Sequence, residues 1–205
     1  TGTGLAEALS GVECIIDAVG GVPEGMDDAA AQDKEAAALF FTTAARNMQQ
    51  AGERAGVRLA VVVSIIGIDK LRTGHPAAKL DHEQAWLAGP VPVRIMRSDI
   101  FHEFVAQMMG WGRQGDVAYV PRMRTQPIAA RTVADGLVDL AMVGDDGPAP
   151  GSIVEIAGPQ VENLVDLCTM LAAKRGDPVK VEGVTDRANP DSALYESDEL
   201  RAGPD

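Results

Sequence analysis

Residues 57–69, VRLAVVVSIIGID, hold an almost unbroken series of β-branched and aliphatic side chains. A strand with one face in water alternates apolar and polar residues. A continuous run must be covered on both faces, as the strands of parallel sheets are. Two further runs share this character, VECIIDAVGG from Val12 to Val19 and PVPVRIMRS at 90–98. Between the first two, Ala37, Phe40, Phe41, Ala44, Met48, Ala51 and Ala55 recur at three- and four-residue spacing. That spacing predicts an amphipathic helix over 34–55, closed by Gly56. A second helix is expected from Pro76 to about Leu87. A third is expected over 99–112, with Asp99 as its N-cap. Alternation of this kind predicts βαβ units, an α/β chain built on a parallel sheet with helices on both faces.

The second half changes character. VAYVP (117–121) and TQPIA (125–129) read as short extended pieces, and Thr132 as the cap of a helix of about three turns. IVEIAGP (153–159), a helix from Asn163 to Arg175 and VKVEGV (179–184) follow; beyond Thr185 the apolar content collapses.

Composition narrows the function classes. Hydrophobic residues at 46% and charged residues at 23% suit a soluble globular chain. A net charge of -12 repels phosphate backbones and anionic lipid, which disfavours nucleic acid and membrane surfaces as partners. Cys14 and Cys168 form neither a disulfide framework nor a metal-ligand pattern and read as core thiols of a reducing compartment. No apolar run reaches the roughly 18 residues of a membrane span. No secretory signal is legible either, so the expected location is cytoplasmic.

An open parallel sheet holds its ligand where loops diverge at the carboxyl ends of its strands. Those loops are expected at Ala18-Val19-Gly20-Gly21, Ser64-Ile65-Ile66-Gly67 and Arg97-Ser98-Asp99-Ile100-Phe101. TGTGLAEAL has two of the three glycines of a dinucleotide fingerprint but no preceding strand, and no GxxxxGK[ST] loop exists. Ser64, at the end of the most apolar strand, either donates into the crevice or turns the chain. His75 and Lys79 share one helix face at four-residue spacing, either as a solvated pair or as a ribose-binding and proton-handling pair. HEQAW and HEFVA lack the second histidine of HExxH, so no metal site is expected. No GxSxG elbow is present. Phe101, His102 and Phe104 begin where the third strand opens and are candidates for a substrate pocket wall.

Taken in order, GLAEALSGVECIIDAVG, FFTTAARNMQQAGERAGVRLAVVVSIIGID, KLDHEQ, VRIMRSDIFHEF, TQPIAARTVAD and VEIAGPQ resemble the atypical short-chain dehydrogenase/reductases, specifically the NmrA-like NAD(P)-binding family. The resemblance covers about residues 4–175. It implies a Rossmann-like sheet binding NADP or NAD, with VECIIDAVG as the family's fourth strand. The first three strands and their Gly-rich phosphate turn would then lie outside the chain, which opens Thr1-Gly2-Thr3. The implied organisation is a partial dinucleotide-binding core at 1–115, a small α+β substrate-side region at 116–184 and a mobile tail at 185–205.

Carried over residue by residue, Ala18, Val19 and Gly20 match the loop that passes the cofactor ribose, and Ser64 the serine ending the fifth strand. Lys79 matches the lysine of YxxxK. His75 stands where that motif has its tyrosine, and a histidine donates a proton nearer neutral pH. Ser98 and Ile100 fall in the loop beside the nicotinamide. His75, Lys79 and Ser64 are thus the catalytic candidates of an NAD(P)-dependent oxidoreductase acting on a small carbonyl or quinone-like substrate. Two alternatives stand beside it: a non-catalytic NAD(P) sensor of the NmrA kind, and a truncated remnant that binds cofactor weakly. A homo-oligomer or a regulatory protein partner stays open.

Overall fold

The computed structural model describes residues 2–20 and 34–203. Gly21, expected in the loop after the first strand, and residues 23–33, an acidic stretch that reads as a loop, lie outside the described residues. The chain opens with a helical turn α1 (Leu5–Ala8), then β1 (Cys14–Asp17), α2 (Lys34–Ala55), β2 (Leu59–Ile65), α3 (Gly74–Leu87) and β3 (Val93–Ser98). There follow α4 (His102–Trp111), β4 (Arg113–Gln114), β5 (Val117–Pro121), β6 (Arg124–Thr125) and α5 (Ala130–Met142). The last elements are β7 (Ile153–Ile156), β8 (Glu162–Asn163), α6 (Leu164–Arg175), β9 (Lys180–Val184) and α7 (Ser192–Glu196).

Contacts divide the chain into two compact units, residues 1–97 with 134–155, and residues 98–133 with 156–205. The first is built on a four-stranded parallel sheet of order β1-β2-β3-β7, flanked by helices. β1 pairs with β2 from Cys14↔Leu59 to Asp17↔Val62. The continuous apolar run behaves as its composition requires, since Ala60, Val61 and Val62 are consecutive in β2 and all fully buried. Ala60 and Val62 share a core with Ile15, Ala45, Trp86, Val93 and Ile95.

Two polar side chains fasten this unit from inside. Gln49 of α2 donates from Nε2 to Trp86 O (2.7 Å) and Val91 O (3.2 Å), and its Oε1 accepts from Val91 N (2.7 Å). The turn leaving α3 is thereby tied to the neighbouring helix. Gly89 lies so near that a Cβ there would come within 2.2 Å of Gln49 Cδ, which leaves room for glycine alone. Arg94 of β3, also buried, donates to the carbonyls of Leu140, Gly144 and Pro148. The guanidinium satisfies the Leu140 carbonyl in the last turn of α5, which has no helical partner, and two carbonyls of the segment beyond it.

The second unit has a three-stranded sheet, β4-β5-β9, and the two-stranded β6-β8. Val105, Met109, Ala118, Val120, Leu164, Cys168, Ala172 and Val179 form its core. Cys168 is a free thiol that burial pushes up to about 11, the inert behaviour of a core cysteine.

Two local expectations change here. Asp99 does not cap α4, whose N-cap is Phe101. Its buried carboxylate instead accepts from Ile100 N (2.6 Å), Gln126 N (2.8 Å) and the Thr125 hydroxyl, because a nearby segment offers donors that a helix end one turn away cannot. Thr132 lies inside α5, which begins at Ala130, where the Glu103 carboxylate accepts from Ala130 N (3.2 Å). The apolar-poor end carries α7, introduced by an Asn189 side chain that accepts from Asp191 N (2.9 Å). The helix expected from Asn163 begins at Leu164, and Asn163 is its cap, accepting from Val165 N at 2.9 Å. Among the described residues, no helix is long and apolar enough to cross a membrane, and no cluster fit to hold a metal ion is found.

Candidate functional site

The site begins at the carboxyl end of β1. Asp17 is the last residue of that strand and is buried. Its backbone turns into Ala18-Val19-Gly20, and Val19 N donates back to Asp17 Oδ1 at 2.8 Å, an Asx turn that sets the path of the loop. Opposite it, α3 presents His75, Lys79, His82 and Trp86 at intervals of four, three and four residues. That is one face of a helix.

His75 Nε2 lies 2.9 Å from Gly20 O, and Lys79 Nζ donates to Val19 O at 2.7 Å. The two predicted residues thus grip consecutive carbonyls of the predicted loop. Lys79 is only 3% exposed and sits 5.2 Å from the centre of the Phe41 ring, a cation-π contact. Phe41 also meets the His75 ring edge-on at 5.3 Å and the His82 ring at 5.5 Å, so one fully buried aromatic side chain packs all three.

Behind this face lies a second tier that the sequence reading did not find. His82 Nδ1 is 2.9 Å from Lys79 Nζ, and His82 Nε2 is 3.1 Å from Asp17 Oδ2. Trp86 Nε1 donates to Asp17 Oδ2 at 2.6 Å. Glu83, equally buried, forms a two-pronged ion pair with Arg97, whose other arm reaches Asp69 at 2.8 Å. The pair His75 and Lys79 was legible as spacing, and His82 and Trp86 extend the same face. That this face meets an aspartate across the fold was not legible.

The electrostatics follow from burial and pairing. Burial pushes Lys79 down to about 8, against the upward pull of Asp17 and Glu83. For Asp17 burial acts upward, but the hydrogen bond from His82, the Val19 N–H and the Lys79 charge together hold it below its ordinary value. Burial also lowers His75, aided by the Lys79 charge and opposed by the Gly20 hydrogen bond. A neutral His75 giving its Nε2 proton to Gly20 O keeps only an acceptor at Nδ1.

The remaining candidates separate. Ser64 is buried near the end of β2. Ser98 ends β3 and is buried as well. Ile100, Phe101, His102 and Phe104 belong to the second unit. There Phe101 bridges to Ile128, His102 N donates to Ile128 O (3.0 Å), and Phe104 meets Trp111 edge-on at 5.3 Å.

No family model and no curated protein matches the chain. Solved structures do. One is a dTDP-glucose 4,6-dehydratase double mutant from Streptomyces venezuelae with NAD bound, with TM-score 0.70 and 19% identity, over 100% of this chain and 68% of that one. Another is an NADPH-dependent quinone oxidoreductase from Escherichia coli complexed with NADPH, with TM-score 0.63 and 15% identity, over 98% and 67%. A third is the triphenylmethane reductase of Citrobacter sp. complexed with NADP(H), with TM-score 0.59 and 13% identity, over 90% and 60%. The chain thus spans three-fifths to two-thirds of the length of these structures. At such identities the likeness is one of fold, and that fold is Rossmann-like, a parallel sheet flanked by helices of the kind found in NAD(P)-binding proteins.

Proposed function

We propose that this chain binds NADP or NAD and works as an oxidoreductase of the atypical short-chain type on a small carbonyl or quinone-like substrate. The observation that carries the reading is the pair His75 and Lys79, one helical turn apart and bonded to Gly20 O and Val19 O at the end of β1. Its spacing is that of YxxxK with histidine in place of tyrosine.

The residues fit the ribose end of a dinucleotide. Lys79 Nζ has three protons, and among the described residues two are given, to Val19 O and His82 Nδ1. The third is the donor Lys79 would offer a ribose hydroxyl. At the phosphate end the fit is lacking. Among the described residues no strand-to-helix turn carries the glycine fingerprint, and the order β1-β2-β3-β7 advances in one direction without the reversal at which such sheets hold ligands. No phosphate contact is therefore assigned. When bound, the cofactor supplies or accepts the hydride. Lys79 orients, Phe41 keeps water from its ammonium, and Ser64 is the candidate hydroxyl for the substrate oxygen.

A second reading, a sensor that binds NAD(P) and catalyses nothing, is favoured by the His75 geometry. Its Nε2 proton is committed to Gly20 O, so the neutral ring has no proton left for a substrate. Titration of the chain with NADPH and NADH, followed by nicotinamide fluorescence, tests both readings. Saturable binding weakened about ten-fold or more by Lys79→Met, the effect of losing one charge-assisted hydrogen bond, is the expected result. Failure to saturate with either nucleotide sinks both readings. Oxidation of NADPH by quinones or aldehydes, slowed in His75→Phe, selects the enzyme; binding without oxidation selects the sensor.

A further inference from the structure

With Lys79 held as the ammonium, a single proton arrangement of the second tier satisfies every partner. Asp17, as a carboxylate, only accepts, and the indole of Trp86 only donates. Asp17 Oδ1 takes Val19 N–H, and Oδ2 takes the Trp86 N–H at 2.6 Å. His82 Nε2, 3.1 Å from the same Oδ2, must then carry a proton and donate it. Trp86 Nε1 then lies 3.2 Å from His82 Nε2, a contact between two donors that both face the carboxylate. His82 Nδ1 is left with a lone pair, and 2.9 Å away stands the Lys79 ammonium. Asp17 fixes the tautomer of His82, and His82 presents an acceptor to Lys79.

We infer that Asp17 and His82 are positioning residues that form an internal proton acceptor for Lys79. One proton is shared between Lys79 Nζ and His82 Nδ1. In the transfer an N–H bond of Lys79 breaks and an Nδ1–H bond of His82 forms. Lys79 becomes a neutral amine, and the new imidazolium faces the Asp17 carboxylate. The buried charge of the cluster does not change; it moves from one nitrogen to the next. The amine left behind takes a proton from a ligand hydroxyl, which becomes the corresponding oxyanion.

The surroundings suit such an exchange. Lys79, His82 and Asp17 are all buried, so bulk water does not level the two states. From β1 the charged group facing Lys79 is Asp17. From its own helix they are His75, His82 and Glu83, with Glu83 held by Arg97 of β3. From α2 the neighbour is the uncharged Phe41 ring. The use of this acceptor in turnover rests on the NAD(P) reading above; its existence does not.

The test is nuclear magnetic resonance on the whole cofactor-free chain, labelled with 15N in histidine and 13C at lysine Cε. The His82 signals are assigned by their loss in His82→Gln, and the Lys79 signal by its loss in Lys79→Met. At neutral pH, His82 is expected to show a protonated Nε2 and an unprotonated Nδ1. Its Nδ1 shift should move over the pH range in which Lys79 titrates, near 8. Asp17→Asn should lower the proton affinity of Lys79 by about ten-fold, the effect of removing a nearby opposite charge, and should release the tautomer. A merely structural Asp17 would cost stability and move neither signal. A neutral His82 whose single proton sits on Nδ1 with Nε2 bare in the native chain, or a His82 that stays silent while Lys79 titrates, overturns the inference, and this wild-type result stands even if Asp17→Asn does not fold. NADPH added to the same sample tests the other reading separately.

Discussion

Asp17 and Lys79 shift in the same direction for opposite reasons, and the two leave different marks on stability. Lys79 titrates near 8 in the folded chain against an ordinary 10.5. Between those values the unfolded chain holds the extra proton, so stability rises with pH across that window and the penalty is fully present below it. Equilibrium urea unfolding at pH 8 and pH 10 should show this rise in the native chain and its loss in Lys79→Met. Asp17 behaves in the reverse sense. Its folded value lies below the ordinary one, so its contribution is present at neutral pH and disappears as pH falls through the folded value. Asp17→Asn should cost about 3–5 kcal/mol at pH 7, the usual penalty for stripping one partner from a buried pair. The difference from the native chain should shrink in urea curves taken at pH 3. Equal costs at both pH values would mean that Asp17 acts by packing alone.

At the scale of elements, the packing of α2 on α3 decides whether this cluster is assembled. The apolar periodicity of 34–55 was readable, and the helix spans those residues. Periodicity did not reveal that Gln49, on the buried side of that helix, satisfies three backbone groups at the turn into β3. A lone glutamine among apolar positions looks like an ordinary exposed residue until its partners, some forty positions away, are known. Gln49→Leu keeps the volume and removes the hydrogen bonds. It should destabilise by about 2–3 kcal/mol, since buried backbone donors and acceptors then lack partners. Chemical denaturation measures it, and a loss below half a kcal/mol would show that water replaces the amide. The stripe on α3 follows the same logic. Its four-three-four spacing places His75, Lys79, His82 and Trp86 on one face, whereas only the pairing of β1 with β2 brings Asp17 to meet them.

For the whole molecule, ligand linkage gives the most direct check. A nucleotide that binds the folded chain at a hundred times its dissociation constant adds about 2.7 kcal/mol of stability. NADPH or NADH should therefore raise the melting temperature by several degrees, and the rise should be smaller in Lys79→Met. An unchanged melting temperature with either nucleotide, at concentrations that saturate known Rossmann-fold proteins, would count against cofactor binding.

The α/β class, the order of strands and helices and the helix carrying HPAAK were all legible in the sequence. They depend on hydrophobic period and on turn residues, which are local and repeat within a few positions. His75, Lys79 and the Val19-Gly20 loop could also be singled out, because a resemblance gave their spacing a meaning. What only the tertiary structure decided is which groups meet. Asp17 and His82 lie 65 positions apart, and Glu83 finds Arg97 on a different strand. A buried charge is tolerated only beside its partner, and the partner is chosen by strand register and helix packing. No local pattern encodes that choice. The proton arrangement behind Lys79 is therefore a property of the fold, written in residues that look unrelated until the chain closes on itself.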